Sequence, residues 1–127
     1  MRKIKHKKHD EDFLKALSKI GTLYDRKRQL SLTFANHRHR SNETVYEHII
    51  AERHGLMLKD LDKLKGEILT NSVFMKDKTR KNTYNYLIPR TNEEREYIQI
   101  SVSMKHNKAA EVKTMFITPE SKLKKRY

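Results

Sequence analysis

Histidine and the basic residues supply most of the side chains that could do chemistry in this chain of 127 residues. Seven His stand against no Cys, which excludes a disulfide scaffold, thiol catalysis and any cysteine-ligated metal site. Four imidazoles lie among Lys and Arg, whose charges repel a metal ion: His6, His9, His37 and His39. His48 and His54 do not have the i, i+4 spacing of a helical zinc site. We therefore predict no metal and no cofactor.

Imidazoles, cations and hydroxyls together suit one reaction, the cleavage of RNA without a metal ion. The RNA supplies its own 2′-hydroxyl as nucleophile, so the protein needs a general base, a general acid and cations on the scissile phosphate. Imidazole exchanges protons near neutral pH, and Lys or Arg stabilises the charged transition state. The chain has no Gly-rich phosphate loop and no G-x-S-x-G turn, because its three Gly are scattered.

Two short motifs give this interpretation more detail. Residues 46–54 read YEHIIAERH, which contains H-x-x-x-x-R-H, and residues 112–116 read VKTMF. A Leu-rich helix, Asn71 and a series of strands are expected between them. This order resembles the phage-associated branch of the barnase/EndoU/colicin/RelE-like (BECR) nuclease superfamily over roughly residues 44–118. The resemblance implies a compact, metal-independent ribonuclease, often a toxin or a mobile-element effector, with tRNA as a frequent target.

The resemblance also implies which residues carry out catalysis. The helical and late-strand residues of the family correspond here to His48, Arg53, His54, Lys113 and Thr114. His54 or His48 would be the general acid or base, and His54 is preferred because it lies at the end of its helix. Arg53 and Lys113 would hold phosphate, and Thr114 would donate a hydrogen bond to it. The aromatic residue that follows is Phe116, where the family often has Tyr.

Each of these residues also has a purely structural interpretation. His48 could pack at the edge of the core, and Arg53 could form a weak surface pair with a neighbouring Glu. His54 could simply place a cation near a helix C-terminus, where it is favourable. Lys113 and Thr114 could be ordinary strand residues.

Five further residues are candidates for binding nucleic acid: Lys105, His106, Arg38, Arg40 and Tyr84. Arg38 and Arg40 belong to a basic segment that reads as a loop. Tyr84 could stack on a base, but cross-strand aromatic packing is the other interpretation. Lys105 and His106 could be no more than turn residues.

The net charge of +13 indicates a polyanionic partner. Residues 1–40 and 71–127 carry the excess of Lys and Arg, whereas residues 41–70 are slightly acidic. A membrane-binding helix would need a broad apolar face with Trp or Phe, and the chain has no Trp. We expect RNA as the partner, and the resemblance implies that tRNA is a frequent target. A toxin of this kind would also have an acidic immunity or antitoxin protein that covers its cationic cleft.

Hydrophobic spacing and breakers predict helices first and strands later. We expect a first helix over 10–20, with an end near Lys27 as the alternative. Further helices are expected from Ser41 or Asn42 to Gly55 and over roughly 58–69. An early strand is expected over 28–34. Later strands are expected at 72–75, 83–88, 97–104 and 111–118, joined by short turns.

This order of elements predicts an α+β fold, with N-terminal helices packed on a C-terminal antiparallel β-meander of about four strands. Residues 1–9 would form a basic arm, 10–119 a single domain and 120–127 a basic tail. The initial Met favours a free protein over a fragment.

The sequence also excludes several classes of protein. No run approaches the ~18 apolar residues of a membrane span, and no apolar segment follows the basic N-terminus as in a secretory signal. We therefore expect a cytoplasmic protein without membrane contact. The first hypothesis for function is a metal-independent endoribonuclease. The second is a non-catalytic, basic nucleic-acid-binding protein, or a phage or mobile-element inhibitor of a host nucleic-acid enzyme.

Overall fold

A computed structural model describes residues 8–40, 42–52, 55–90 and 95–126 of the protein. Helix α1 spans Lys8–Ile20 and buries Phe13 and Leu17 on one face. Gly21 has a φ of 69°, which a side chain would disfavour, and the helix ends there. The helix therefore ends where the sequence predicts, and the alternative end near Lys27 is wrong.

A β-hairpin follows α1 directly. Strand β1 (Thr22–Asp25) pairs antiparallel with strand β2 (Leu30–Thr33), and residues 26–29 form the turn between them. Short strands β3 (Arg38–Arg40) and β4 (Glu43–Thr44) then form a separate two-stranded sheet. Because residues 38–40 pair with β4, this basic segment is not the loop that the sequence suggests.

Two helices occupy the middle of the chain. Helix α2 (Val45–Ala51) has a capping box, in which the Thr44 hydroxyl accepts from the Glu47 N–H and the Glu47 carboxylate accepts from the Thr44 N–H. Helix α3 spans only Leu58–Leu61, much less than the expected 58–69. The residues after α3 form successive turns, and Gly66 adopts a φ of 59° that a continuous helix could not include.

The second half of the chain forms four consecutive strands and a final helix. The strands are β5 (Val73–Lys76), β6 (Thr83–Pro89), β7 (Glu96–His106) and β8 (Ala109–Pro119), followed by helix α4 (Glu120–Arg126). Each strand pairs antiparallel with the next, as the sequence predicts.

The expected fold class is wrong because the N-terminal hairpin joins the main sheet. The strand order is β1-β2-β8-β7-β6-β5, and β2 pairs in parallel with β8 through Ser31, Leu32 and Thr33. The result is a six-stranded mixed sheet curled into a half-barrel, with 42% of the residues in strands and 25% in helices. An antiparallel meander of four strands, covered by helices, does not describe it.

The sheet curls around its apolar face, which we call the inner face. Alternate residues of β6, β7 and β8 point into one core with α1 and α2, among them Tyr86, Ile100 and Met115. The Tyr86 hydroxyl donates to Asp25 at 2.7 Å, although their strands are separated by three others in the sheet order. Burial raises the pKa of Tyr86 above its ordinary value, and the Asp25 carboxylate raises it further.

Arg28 connects the N-terminal hairpin to the far edge of the sheet. Its guanidinium donates to Asp25 at 3.2 Å and to the Ser72 carbonyl at 2.8 Å, and it lies 5.6 Å from the centre of the Phe74 ring. Asp25 is fully buried, so this ion pair and the Tyr86 hydroxyl provide the partners that a buried carboxylate needs. The contacts hold the two edges of the half-barrel together across the inner face.

Arg90 joins the α3 segment to the sheet where β6 ends and β7 begins. Its guanidinium forms two hydrogen bonds with the fully buried Asp60, at 3.0 and 2.8 Å, and a third with Glu96 at 3.0 Å. Asp60 also accepts from the Met57 N–H at 2.8 Å. The hydrogen bonds that Arg90 donates to the Asp60 carboxylate raise the pKa of Arg90 above its ordinary value. The fixed orientation of residues 55–60 depends on this network.

Candidate functional site on the outer face of the sheet

Two lysines occupy the extra positions of β-bulges in the β7–β8 pair. Ser101 is opposite Thr114 and Val102 is opposite Val112, so Lys113 is inserted between them. Met104 is opposite Ala110 and His106 is opposite Ala109, so Lys105 is inserted in β7. A bulge changes the direction in which a side chain points and is common beside active sites.

The bulge at Lys113 places two consecutive side chains on the same face of the sheet. Thr114 is opposite Ser101 and shares its face, which alternation places away from the inner residues Ile100 and Val102. The Lys113 ammonium donates to the Thr83 hydroxyl at 2.9 Å, which lies on that outer face too. An uninterrupted strand would have directed Lys113 and Thr114 to opposite faces.

A row of buried polar side chains crosses the outer face beside Lys113. The Asn85 carbonyl oxygen accepts from Ser101 at 2.6 Å and from Gln99 at 3.1 Å, and Gln99 accepts from Thr118 at 2.9 Å. The Asn85 amide donates to Asp77 at 3.2 Å. We call these five residues the polar row. Four of its members are at most 2% exposed, so their mutual hydrogen bonds replace those with water.

Asp77 ends the polar row in the turn between β5 and β6. Burial alone would raise its pKa, but hydrogen bonds from the Thr79 N–H, the Asn85 amide, the Arg80 N–H and the Thr79 hydroxyl lower it to about 2. The carboxylate therefore stays ionised at neutral pH, with its oxygens occupied by neighbouring donors.

A histidine, a carboxylate and a lysine form a cluster next to the bulges, which we call the acid–base cluster. The same oxygen of Glu111 lies 3.4 Å from His37 Nε2 and 3.5 Å from Lys105 Nζ. Glu111 is opposite Ser103 and Thr33, so it projects from the outer face, as Lys113 does two residues later. All three side chains are partly or largely exposed and can meet a ligand. This arrangement brings an imidazole, a carboxylate and two ammonium groups to neighbouring positions on one face.

Backbone hydrogen bonds fix where His37 lies. Its carbonyl accepts from the Val45 N–H at 2.9 Å, and the adjacent Asn36 side chain accepts from the Tyr46 N–H at 2.9 Å. The first turn of α2 therefore holds the segment that carries the imidazole.

His48, which the resemblance places in the site, lies on the other side of the sheet from Lys113 and Thr114. His48 belongs to α2, which packs Val45 and Ile49 into the core on the inner face. Its Nδ1 lies 3.0 Å from Glu43 Oε1. Lys113 and Thr114 instead face outward. Arg53 and His54 lie outside the described residues, so their predicted roles stay predictions.

The five predicted nucleic-acid contacts occupy different surroundings. Lys105 belongs to the acid–base cluster, and His106 accepts a hydrogen bond from the Lys108 N–H at 3.3 Å within the β7–β8 turn. Arg38 is exposed on β3, and the side chain of Arg40 lies outside the described part of the structure. The ring of Tyr84 is stacked on Phe74 with centroids 5.2 Å apart, which is the cross-strand packing considered above.

Sequence reasoning missed His37 and Glu111 as members of the candidate site, where both are linked to Lys105 through the Glu111 carboxylate. Glu111 stands two residues before Lys113 in the same strand, and this i, i+2 spacing was the available signal. His37 had no comparable signal, because its approach depends on the parallel β2–β8 pairing.

Two further observations concern only the part of the chain that the structure describes. No three His, Asp or Glu side chains there come together as a group that could hold a metal ion. No helix there is long and apolar enough to cross a membrane.

The chain matches no family model, no curated protein and no solved structure. Its function is therefore inferred from the outer-face site itself.

Proposed function

We propose that the protein is a metal-independent endoribonuclease of the BECR type whose acid–base cluster cleaves RNA by transesterification. The observation that carries the proposal is the grouping of His37, Glu111, Lys105 and Lys113 on the outer face of β7 and β8, with both lysines at bulges. A general base, a general acid and cations for the phosphate are what this reaction requires. The net charge of +13 favours the approach of RNA.

Each residue of the site has a definite role in this mechanism. Glu111 accepts the proton of the RNA 2′-hydroxyl, and the 2′-oxygen attacks the adjacent phosphorus. His37 donates a proton to the departing 5′-oxygen as the phosphorus–oxygen bond breaks. Lys105 and Lys113 stabilise the negative charge on the phosphoryl oxygens, and Thr114 donates a hydrogen bond. The products are a 2′,3′-cyclic phosphate and a 5′-hydroxyl.

Cleavage of a labelled RNA in the presence of EDTA tests the proposal. Wild-type protein should release fragments with cyclic phosphate ends, identified by mass spectrometry. His37→Ala should lower kcat about 10²–10⁴-fold, because it removes the general acid. Lys113→Met should lower kcat by a similar factor, because it removes charge stabilisation while retaining most of the side-chain volume.

The matched control is Lys15→Met, which removes an exposed lysine of α1 away from the site. It should cleave at the wild-type rate. Melting temperatures should show that all variants are folded. Absence of RNA cleavage by the wild-type protein, or wild-type rates for both His37→Ala and Lys113→Met, would overturn the proposal. A loss of activity in His48→Ala without one in His37→Ala would move the acid–base role to the helical histidine.

The second candidate function is RNA binding without catalysis. The observation that favours it is that Lys113 already donates to Thr83, while the polar row is hydrogen-bonded within itself. These groups thus have a structural role that needs no substrate. Affinity for RNA with a steep salt dependence, together with intact RNA after prolonged incubation, would identify this function.

A toxin with this site would need an inhibitor. We infer that such a partner would be acidic and would cover the outer face around Lys105 and Lys113. Toxicity on expression, relieved by a co-expressed acidic protein, supports the toxin assignment. Growth at the normal rate with active enzyme in the cells contradicts it.

A further inference from the structure

Three hairpin turns of the large sheet lie at the same end. They are the β1–β2 turn at 26–29, the β5–β6 turn at 77–82 and the segment 105–108, which comprises the last two residues of β7 and the β7–β8 turn. The parallel pairing of β2 with β8 places the first turn beside the last, and the Ser31 N–H donates to the Lys108 carbonyl at 3.0 Å. We call these three segments the hairpin end. Neighbouring turns are two strands apart in the sheet order, a spacing of ~10 Å.

Positive charge is concentrated at the hairpin end. The three segments contain eight Lys or Arg and one acid, Asp77. Lys105 contacts Glu111 and Arg28 is directed to the inner face, which leaves six exposed cations: Arg26, Lys27, Lys78, Arg80, Lys81 and Lys108. Among the described residues, only Arg26 of these six is in an ion pair, with Glu67 at 3.4 Å.

The single acid offsets only one unit of this charge. Asp77 is ionised, and its oxygens accept from the Thr79 N–H and hydroxyl, the Arg80 backbone N–H and the Asn85 amide, none of which is a cation. The Asn82 amide donates to the Met104 carbonyl at 2.9 Å, which joins this turn to the end of β7. The cations are thus carried by turns that are fixed relative to each other.

An exposed aromatic ring lies on the strand that leads into this end. Tyr24 is on the outer face of β1, directly before the buried Asp25, and is 49% exposed. Every base presents a flat face to such a ring, but only an unpaired base can stack on it. A lone exposed tyrosine needs no explanation, whereas one beside a row of exposed cations has the two elements of a single-strand binding surface.

We propose that the hairpin end binds single-stranded RNA, with phosphates against the three cationic turns and a base stacked on Tyr24. The turns lie along the curved rim of a half-barrel, which a flexible single strand can follow and a stiff duplex cannot. The inference rests on the proposed function in taking RNA as the ligand, but it needs no cleavage.

A binding measurement with a 2′-O-methyl RNA oligonucleotide tests the proposal, because this probe lacks the nucleophile and stays intact. The test variant removes one cation from each turn: Lys27→Gln, Arg80→Gln and Lys108→Gln. We expect Kd to rise at least tenfold near physiological salt. The slope of log Kd against log salt should fall by about 2, since each single-strand phosphate contact contributes about 0.7.

The matched control removes the same charge elsewhere, through Lys15→Gln, Lys19→Gln and Lys59→Gln. These lysines are exposed on α1 and α3, and Arg90 holds α3 at the end of β6 far from the hairpin end. The control should retain the salt slope and change Kd less than threefold, because charges beyond a Debye length of ~8 Å are largely screened. An equal loss of affinity for the oligonucleotide in the two triple variants would overturn the proposal.

Tyr24 provides a second test that does not depend on charge. Tyr24→Ala should weaken binding to the single strand about tenfold and leave binding to duplex DNA unchanged, whereas Tyr24→Phe should retain wild-type affinity. Equal affinity for duplex and single strand in the wild type would overturn the single-strand assignment. If the triple variant of the hairpin end loses binding to phosphatidylserine vesicles but keeps binding to RNA, the surface is a lipid-binding site and the proposal is wrong.

These outcomes are separable from those of the proposed function. Loss of binding in the hairpin-end variant, with no cleavage by any protein, supports the inference and overturns the ribonuclease. Cleavage by the wild type, with unchanged binding in that variant, supports the ribonuclease and overturns the inference.

Discussion

Asp77 illustrates how one carboxylate can organise a turn and the polar row at once. It accepts two backbone N–H groups and two side-chain donors, and these hydrogen bonds lower its pKa to about 2. A carboxylate whose pKa is lower in the folded than in the unfolded state stabilises the fold above the unfolded pKa. That stabilisation is lost as the pH falls through the folded value.

We predict that Asp77→Asn lowers the free energy of unfolding by about 1–2 kcal/mol at neutral pH, less than the shift alone would give because the turn is partly solvated. The difference from wild type should shrink as the pH falls from about 4 to about 2. Urea unfolding across this range measures it. Asp62→Asn, at an exposed position, should change stability by less than about 0.5 kcal/mol. If Asp77→Asn is less stable than the wild type by the same free energy of unfolding at every pH down to 2, the lowered pKa of Asp77 is not the cause.

Single residues also show how far the site could be predicted from the sequence. The resemblance singled out Lys113 and Thr114, but alternation in a regular strand would place them on opposite faces. The bulge places them on the same face, and no residue type in the sequence indicates that a bulge is present. The pairing of His37 with Glu111 joins residues 74 positions apart, and local spacing contains no information about it.

Among the elements, those with local signals were the ones predicted correctly. Gly21 ends α1, and the alternating segments became β6, β7 and β8 within a few residues of the expected bounds. The helix predicted over 58–69 failed because Leu61, Leu64 and Leu69 are buried by turns instead of by one helical face. The parallel β2–β8 pairing was missed because strands so distant in sequence give no local sign of their partner.

The network that holds α3 can be tested with two matched arginines. Arg90→Gln should lower the free energy of unfolding by about 3–5 kcal/mol, because it leaves the fully buried Asp60 without its charged partner. Arg95→Gln should cost at most about 1 kcal/mol, since Arg95 is 83% exposed and pairs with Glu120 at the surface. Chemical denaturation at neutral pH measures both.

If Arg90→Gln and Arg95→Gln lower the free energy of unfolding by similar amounts, Arg90 contributes no more to stability than a surface ion pair does. Arg90→Lys provides a further control, because it keeps the charge but cannot form the bidentate contact with Asp60. Its stability should lie between those of the wild type and Arg90→Gln.

At the scale of the whole molecule, the charge of +13 has a cost for stability as well as a use in binding. Lys and Arg repel one another in the folded state, and dissolved salt screens this repulsion. The hairpin end brings six exposed cations together, so part of the cost is concentrated there.

We predict that the melting temperature rises as KCl is increased from about 0.05 to about 0.5 M, over which the Debye length falls several-fold. The hairpin-end triple variant should show a smaller rise, because some of the repulsion has been removed. Thermal unfolding followed by circular dichroism measures both. A melting temperature that falls with salt in the wild type would mean that attractive ion pairs outweigh the repulsion.

The position of β8 between β2 and β7 has a consequence for synthesis of the protein on the ribosome. The hairpin at 22–33 emerges early, yet the strand that pairs with its open edge is made some 75 residues later. Until residue 119 has been translated, both β2 and β7 expose unpaired backbone groups. During this interval, the exposed edges of β2 and β7 can pair with strands of other chains. The nascent chain therefore depends on dilution or on chaperones to avoid aggregation.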